Sequence, residues 1–546
     1  MSSQDELVPG TVHLIDLEGD LDVKKGHDNI ILRPPPTSNP NDPLRWSQRK
    51  KQSQFFLLFW LATFLAITVN FSGPIWDIWV ADFNTSYEKL NISSALCFLF
   101  LGVGCLLLQP TALIFGRRFV YLSCVVLMMV ANIIGAVSTS IEHLYAVNII
   151  GGFAAAPCDS LIEISVTDTF FQHERATYLS FVILCLYFGS DIGPIISGYI
   201  ADTVGWRWCF WLQVIMFGLM FIWAFFFMDE TCFRRSEEDM VLESDILQQI
   251  KSRESGYPLS DTERKKEHAV ETGEEVVSDN ESVDKSIPVR SYWRKRQVIE
   301  TEYGDTRSWL CIFYRPFFLI TFPAVLWCGL VYGAQMMWLS LLATTQALIY
   351  SSEPYNFSAG STGLTNFGPL IGSLIGLGTG PLVDWITLRM ARKNNGIMEP
   401  EFRLYAMVLP LVTNAIGLLA YGLGAWNGNP WPVSVIIGQG FLGFAMSSSG
   451  TICLTYVMDC YHRMASEALV LVLFIRNMIG MGFTFAIQPW LDRNGLKVTT
   501  WLMFMLSVVI NGSFIILVLY GKNFRRWTKN SYYKFSDPTF GELFKR

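Results

Sequence analysis

Asp159, Glu163, Asp191 and Arg476 stand inside stretches otherwise too apolar to hold a charge, and Asp77 stands just beyond the outer end of another. A charged group in hydrocarbon costs several kcal/mol unless it is neutralised, paired or hydrated, so each is a candidate for chemistry. A carboxyl group in low dielectric takes up a proton far more readily than in water, which leaves two roles: reversible protonation and the binding of cations. Asp191 lies about fourteen residues, or roughly 21 Å of helix, from the start of its stretch, near mid-membrane. Asp159 and Glu163 are four apart and share one helix face. Glu163 and Asp77 lie close enough to an interface to reach headgroup water, whereas Asp159 and Asp191 have less escape. Arg476 is deep in its own stretch and needs a carboxylate partner to offset its desolvation. Tyr187, Trp327, Tyr332, Trp338 and Tyr456 could each hold an organic cation over a ring face, although most aromatics in such stretches pack or anchor at interfaces.

The elements that carry these groups are membrane helices. Of 546 residues, 51% are hydrophobic and 16% charged, against about 25% charged in an ordinary soluble domain. A soluble enzyme is excluded by that balance. The formal charge of −6, from 41 basic and 47 acidic residues, gives no basic face for nucleic acid. Five of the six histidines fall outside the apolar stretches and His143 stands at the very edge of one, so no paired imidazoles can ligate a haem in the bilayer. No disulfide framework is implied by the cysteines. No G-x-x-x-x-G-K-[ST] phosphate loop is present, so transport would draw on a gradient. Neither a cofactor nor a metal is expected.

Long apolar runs at roughly 53–75, 94–115, 119–138, 143–164, 177–200 and 206–228, then 316–342, 361–383, 402–424, 431–457, 467–490 and 499–521, are read as twelve spans. The fold class expected is all-α: an integral membrane protein of two six-helix bundles. The chain divides into a cytoplasmic tail (1–52), a first bundle (53–228), a cytoplasmic linker (229–315), a second bundle (316–521) and a cytoplasmic tail (522–546). Positive residues concentrate on one side, with Arg117 and Arg118 after span 2 and Arg389 and Arg392 after span 8, which places both termini inside. The sequons at Asn84, Asn91 and Asn356 then fall in outer loops and are candidate glycosylation sites. No basic n-region precedes an apolar core at the N-terminus, so no cleavable signal peptide is expected.

Two halves of six spans joined by a cytoplasmic linker resemble the major facilitator superfamily. The stretch Gly189-Ser190-Asp191-Ile192-Gly193-Pro194-Ile195-Ile196-Ser197-Gly198 resembles that family's span-five motif G-x-x-x-G-P-x-x-G-G, with Ser197 for one glycine. Small residues there allow close helix approach and Pro194 removes an amide donor, so Gly189, Gly193, Pro194 and Gly198 are expected to form a hinge. The family's loop motif G-x-L-x-D-R-x-G-R-R appears in halves: Gly116-Arg117-Arg118, with Leu113 where the acid would stand, and Gly380, Leu382 and Asp384 followed by Arg389. The resemblance implies a charged latch at Arg117, Arg118, Asp384 and Arg389. Asn148 stands where the antiporters of the family carry an arginine in span 4. Asn39-Pro40-Asn41-Asp42-Pro43-Leu44-Arg45-Trp46, Glu399-Pro400-Glu401-Phe402-Arg403 and Arg476-Asn477 look like the fungal drug:proton antiporter branch. Tyr456-Val457-Met458-Asp459-Cys460-Tyr461 is similar to its yeast plasma-membrane members that carry polyamines and histidinol.

The resemblance and the buried carboxylates together imply a monomeric, proton-coupled secondary transporter in the plasma membrane. It would be surrounded by lipid, carrying organic cations of polyamine type or drug-like compounds. Export of a fungal natural product or toxin, and a transporter-like nutrient sensor, are the alternatives; an enzyme is not expected.

Overall fold

The computed structural model describes residues 8–13, 37, 39–171, 174–233, 290–292, 294–299 and 307–536. Most of the expected linker, 229–315, lies outside them. The described chain is helical nearly throughout, with eleven continuous helical runs long and apolar enough to cross a membrane. The last, His462–Phe535, holds two crossings, because Gly495 at φ 71° and ψ 165° breaks it. Positive φ costs glycine nothing and other residues much, so the turn between spans 11 and 12 falls there. The count is then twelve, in two bundles of six.

In the first bundle, span 1 is Gln48–Asn70, span 2 Tyr87–Phe115, span 3 Arg117–Ala136, span 4 Ile141–Asp159 continuing as Leu161–Thr169, span 5 Arg175–Thr203 and span 6 Arg207–Phe227. In the second, span 7 is Pro323–Tyr350. It begins later than hydropathy suggests, because Trp309–Phe318 forms a separate helix and the chain breaks at Phe322, before the N-terminal Pro323. Span 8 is built from Ala359–Leu364, Phe367–Gly376 and Thr379–Lys393. Span 9 is Val408–Trp426, span 10 opens with a π-helical segment, Val433–Gln439, and continues as Gly440–Cys460, and spans 11 and 12 share Ala465–Gly512 and Phe514–Ser536. With an even number of crossings, both ends of the chain lie on one face, here called the termini face.

Apolar residues outside the core show which spans meet lipid. Span 6 exposes Ile215, Leu219 and Ile222, and span 12 exposes Val509 and Leu519, a one-sided apolar stripe. Spans 7 and 10 are enclosed, with Tyr332, Trp338, Met446 and Tyr456 fully buried. Enclosure at this density requires small residues. A Cβ on Gly372 of span 8 would lie 1.9 Å from the Gly440 carbonyl oxygen of span 10, and one on Gly152 of span 4 would lie 2.3 Å from that of Cys97 in span 2.

A short segment of the N-terminal tail lies on the second bundle, which hydropathy gives no reason to expect. Val12 and His13 pair antiparallel with Met398 and Ile397. Arg525 donates to the Pro9 carbonyl at 2.5 Å and to the Thr11 hydroxyl at 3.1 Å, and Gly10, at φ 84°, sits against Asp459 and Cys460.

Gly372→Ala should therefore force spans 8 and 10 apart and destabilise the protein by about 1–3 kcal/mol, the usual cost of overpacking. The check is thermal unfolding of the purified protein in detergent; an unchanged midpoint would contradict the packing described.

Candidate functional site: an ion pair between the bundles

Span 4 carries Pro157, which supplies no amide to the helix, and three residues later the helix breaks at Ser160, φ −104° and ψ −52°. Asp159 ends the first segment and Glu163 lies in the first turn of the second. Across from them, spans 7 and 11 meet closely at Gly329 and Gly333, whose added Cβ atoms would press on Ile475 and Ile479. Span 11 thereby presents Arg476 to the first bundle. Its NH1 lies 3.2 Å from Asp159 Oδ1, and both side chains are almost wholly enclosed. Asn477 Nδ2 donates to the other oxygen, Asp159 Oδ2, at 3.3 Å. The guanidinium also stands 4.6 Å from the centre of the Tyr332 ring, and its NH2 reaches the Met336 sulfur at 3.6 Å.

This pair borders a cavity between the bundles, lined by Asn70, Ala155, Asp159, Tyr187, Ser190, Met336, Leu339 and Arg476 among others. Hydrogen bonds join the two halves on either side of it. At the far face Asp202 Oδ2 accepts from the Gly360 amide at 2.8 Å. At the termini face Thr177 Oγ1 donates to Asp384 Oδ2 at 3.1 Å, and Trp309 Nε1 donates to Thr111 at 3.3 Å.

Asp159, Tyr187 and Arg476 thus share the cavity wall, while other candidates sit elsewhere. Glu163 is fully buried one turn beyond Asp159, and neither of its oxygens has a hydrogen-bond partner. Asp191 is buried too, with Oδ2 unpartnered, but its neighbour Ser190 is the residue that reaches the cavity. Asp77 lies in the short helix Trp76–Asp82 beyond span 1 and accepts from the Tyr87 hydroxyl, so it is no cavity group. Tyr332 is already occupied, because its ring faces Arg476 rather than empty space. Trp327 donates to Ser513 at 2.7 Å and packs edge-on against Tyr456, and Trp338 packs against Phe483; none of these three lines the cavity.

The glycine motif of span 5 faces two ways. A Cβ on Gly189 would meet the Thr63 carbonyl at 2.5 Å and one on Gly193 the Ile67 carbonyl at 2.9 Å, both in span 1. Gly198 lies against Ala359, and the Pro194 carbonyl against Gly363, both across the bundle boundary.

The charged latch is built differently from the loop motif. Arg117 meets Asp168 and Ser165 of span 4, and Glu230 accepts from the backbone amides of Arg117 and Arg118 at 3.1 and 3.0 Å. A carboxylate on the open amides of a helix N-terminus is favourable, so Asp168 and Glu230 supply the negative charge that Leu113 does not. Arg118 donates to the Phe225 carbonyl at 2.6 Å. On the second bundle Asp384 pairs with Arg403 at 3.0 Å, and Arg403 also holds Asp459 at 2.5 Å. Arg389 takes no part: it is exposed and lies over Trp385. Arg403, whose side chain enters the bundle, makes the ion pairs expected of Arg389, whose side chain points out.

Of the sequons, Asn84 and Asn356 are exposed, each with a positive φ in a turn. Asn91 is 4% exposed within span 2. A glycan cannot be attached to an amide packed between helices, so Asn91 is withdrawn as an acceptor.

Residues 58–482 match the model of the Major Facilitator Superfamily, and the chain belongs to that family of membrane transporters. It is 31% identical to an uncharacterised MFS-type transporter of Schizosaccharomyces pombe, with 94% of this chain and 91% of that one covered. It is 30% identical to Protein HOL1 of Saccharomyces cerevisiae over 96% of this chain and 97% of HOL1. The MFS transporter cpaT of Aspergillus oryzae is 27% identical, over 91% and 92% of the two chains; the chain is thus an MFS transporter of fungal type. Among solved structures, the proton:xylose symporter XylE of E. coli superposes with a TM-score of 0.57 at 13% identity, covering 91% of this chain and 98% of XylE. The human organic anion transporter MFSD10 gives 0.53 at 14% identity, covering 84% and 99%.

Arg476→Gln should strand Asp159 and cost about 3–5 kcal/mol, as removing one partner of a buried pair does. The double variant Asp159→Asn/Arg476→Gln should recover most of that loss. Denaturant or thermal unfolding of the four proteins measures the coupling, and simple addition of the two single losses would contradict the pair.

Proposed function

We propose that the chain is a proton-coupled secondary transporter of small amine-bearing organic molecules in the plasma membrane, with both termini cytoplasmic. The observation that carries this reading is the Asp159–Arg476 pair, which joins one bundle to the other at the wall of the cavity between them. A carboxylate so placed has three possible counter-charges: Arg476, a proton, or the ammonium of a substrate. Only one of them can satisfy it at a time, and exchange of one for another is what a coupled carrier requires.

With Arg476 on Asp159 the bundles are held together. Protonation of Asp159 removes the charge that attracts Arg476, and a substrate ammonium displaces it instead. Either event loosens the seam and permits the two bundles to rock about the site. Because proton and amine claim the same carboxylate, antiport is the coupling supported best, in keeping with the resemblance to the fungal drug:proton antiporters. Glu163, enclosed and unpartnered one turn away, and Asp191, buried in span 5, would hold further protons on the path. Arg117, Asp168, Asp384 and Arg403 would form the cytoplasmic gate. Glycans, where present, would attach at Asn84 and Asn356.

The test is transport in vesicles of the purified chain. Vesicles loaded at acidic pH should accumulate labelled histidinol or putrescine above the level of protein-free vesicles, and a protonophore should collapse the uptake. Asp159→Asn vesicles should match the protein-free level. Binding without gradient-driven movement would contradict the proposal and favour a sensor.

A further inference from the structure

The cavity wall carries one acid and one base. Among its lining residues Asp159 and Arg476 are the only two that carry formal charge, and Glu163 and Asp191 are not part of the lining. The formal charge facing a substrate therefore sums to zero. A diamine would bring two positive charges to a single carboxylate and leave Arg476 buried without a counter-charge, the costly arrangement.

Arg476 is itself unfilled as a hydrogen-bond donor. Its NH1 is near Asp159 but outside hydrogen-bond alignment, and Nε has no partner. Its NH2 contact is a thioether sulfur, a weak acceptor. The side chain is 6% exposed, so these donors are enclosed beside the cavity, where unpaired donors are rare. The hydroxyls of Tyr187 and Tyr332 nearby are also buried without partners. A guanidinium offers a planar fork that fits a carboxylate through two parallel bonds, which an ammonium cannot do. The centre of the Tyr332 ring lies 4.6 Å from the guanidinium carbon.

We infer that the substrate bears a carboxylate, or an anion of the same planar shape, as well as an ammonium: an amino-acid-like zwitterion rather than a polyamine. This rests on the transport reading above and names its substrate class. The ammonium replaces Arg476 on Asp159, and the carboxylate replaces Asp159 on Arg476. One ion pair becomes two, each protein charge keeps a counter-charge, and the substrate spans the seam between the bundles. Asn477 holds Asp159 from the other side while this exchange occurs.

Matched probes isolate the carboxylate. Ornithine is putrescine with a carboxylate added, and histidine carries a carboxylate where histidinol carries an alcohol. Binding of all four to the purified full-length chain, by calorimetry or by competition with a bound tracer, should favour the carboxylated member of each pair by about tenfold, the worth of one good charge-assisted contact. Arg476→Lys, which keeps the charge and loses the fork, should remove most of that preference, and Arg476→Gln should reverse it toward putrescine and histidinol. Tighter binding of the members without the carboxylate to the unmodified protein, a preference untouched by Arg476→Lys, or binding of none of the four would overturn the inference. Retained preference in vesicles that move neither partner under a pH gradient would support it while contradicting the transport reading.

Discussion

A charge in hydrocarbon must find its counter-charge, and in this chain that requirement joins the two bundles. Asp159 belongs to the first and Arg476 to the second, and each is enclosed where water cannot compensate it. Neither bundle satisfies its own charge within the membrane at this point, so the charges are satisfied only when the bundles meet. On the proposed reading, the meeting of the bundles is specified by electrostatics as well as by packing, and whatever changes the charge on Asp159 would change how the halves hold together.

Packing prepares the charge. Gly329 and Gly333 let spans 7 and 11 approach, and a side chain at either would press on Ile475 or Ile479, the residues that flank Arg476 on span 11. On the first bundle the Pro157 and Ser160 break turns the end of span 4 so that Asp159 and Glu163 do not continue one regular helix. Gly189 and Gly193 seat span 5 on span 1, while Gly198 and Pro194 seat it against span 8. The same span therefore contacts both sides of the seam, which suits an element that must stay packed while the bundles move.

The twelve crossings are legible in the sequence because each needs a long apolar run, and composition supplies it directly. The site is less so. Arg476 announces itself as a lone cation needing a carboxylate, but which carboxylate it meets depends on how span 11 sits against span 4, and no local pattern encodes that. Asp191 reads as the deepest acid, yet Ser190 beside it reaches the cavity, a difference of one residue around a helix whose phase is set by Gly189 and Gly193. Trp327, Tyr456 and Trp338 look like cation binders by type alone and prove to be packing, as buried aromatics usually are. Arg389 and Arg403 are equally basic, and only the direction in which each helix faces separates the exposed one from the latch. Glu230 and the tail segment around Gly10 lie outside the apolar stretches, so hydropathy gives no hint of their contacts.

The central claim is that the charge on Asp159 decides how far apart the bundles stand. Spin labels at Val204 and Asn356, exposed on the first and second bundles at the far face, report that separation by pulsed electron resonance. The account predicts one short distance in the unmodified protein and a longer population in Asp159→Asn. Identical distance distributions in the two proteins would contradict it.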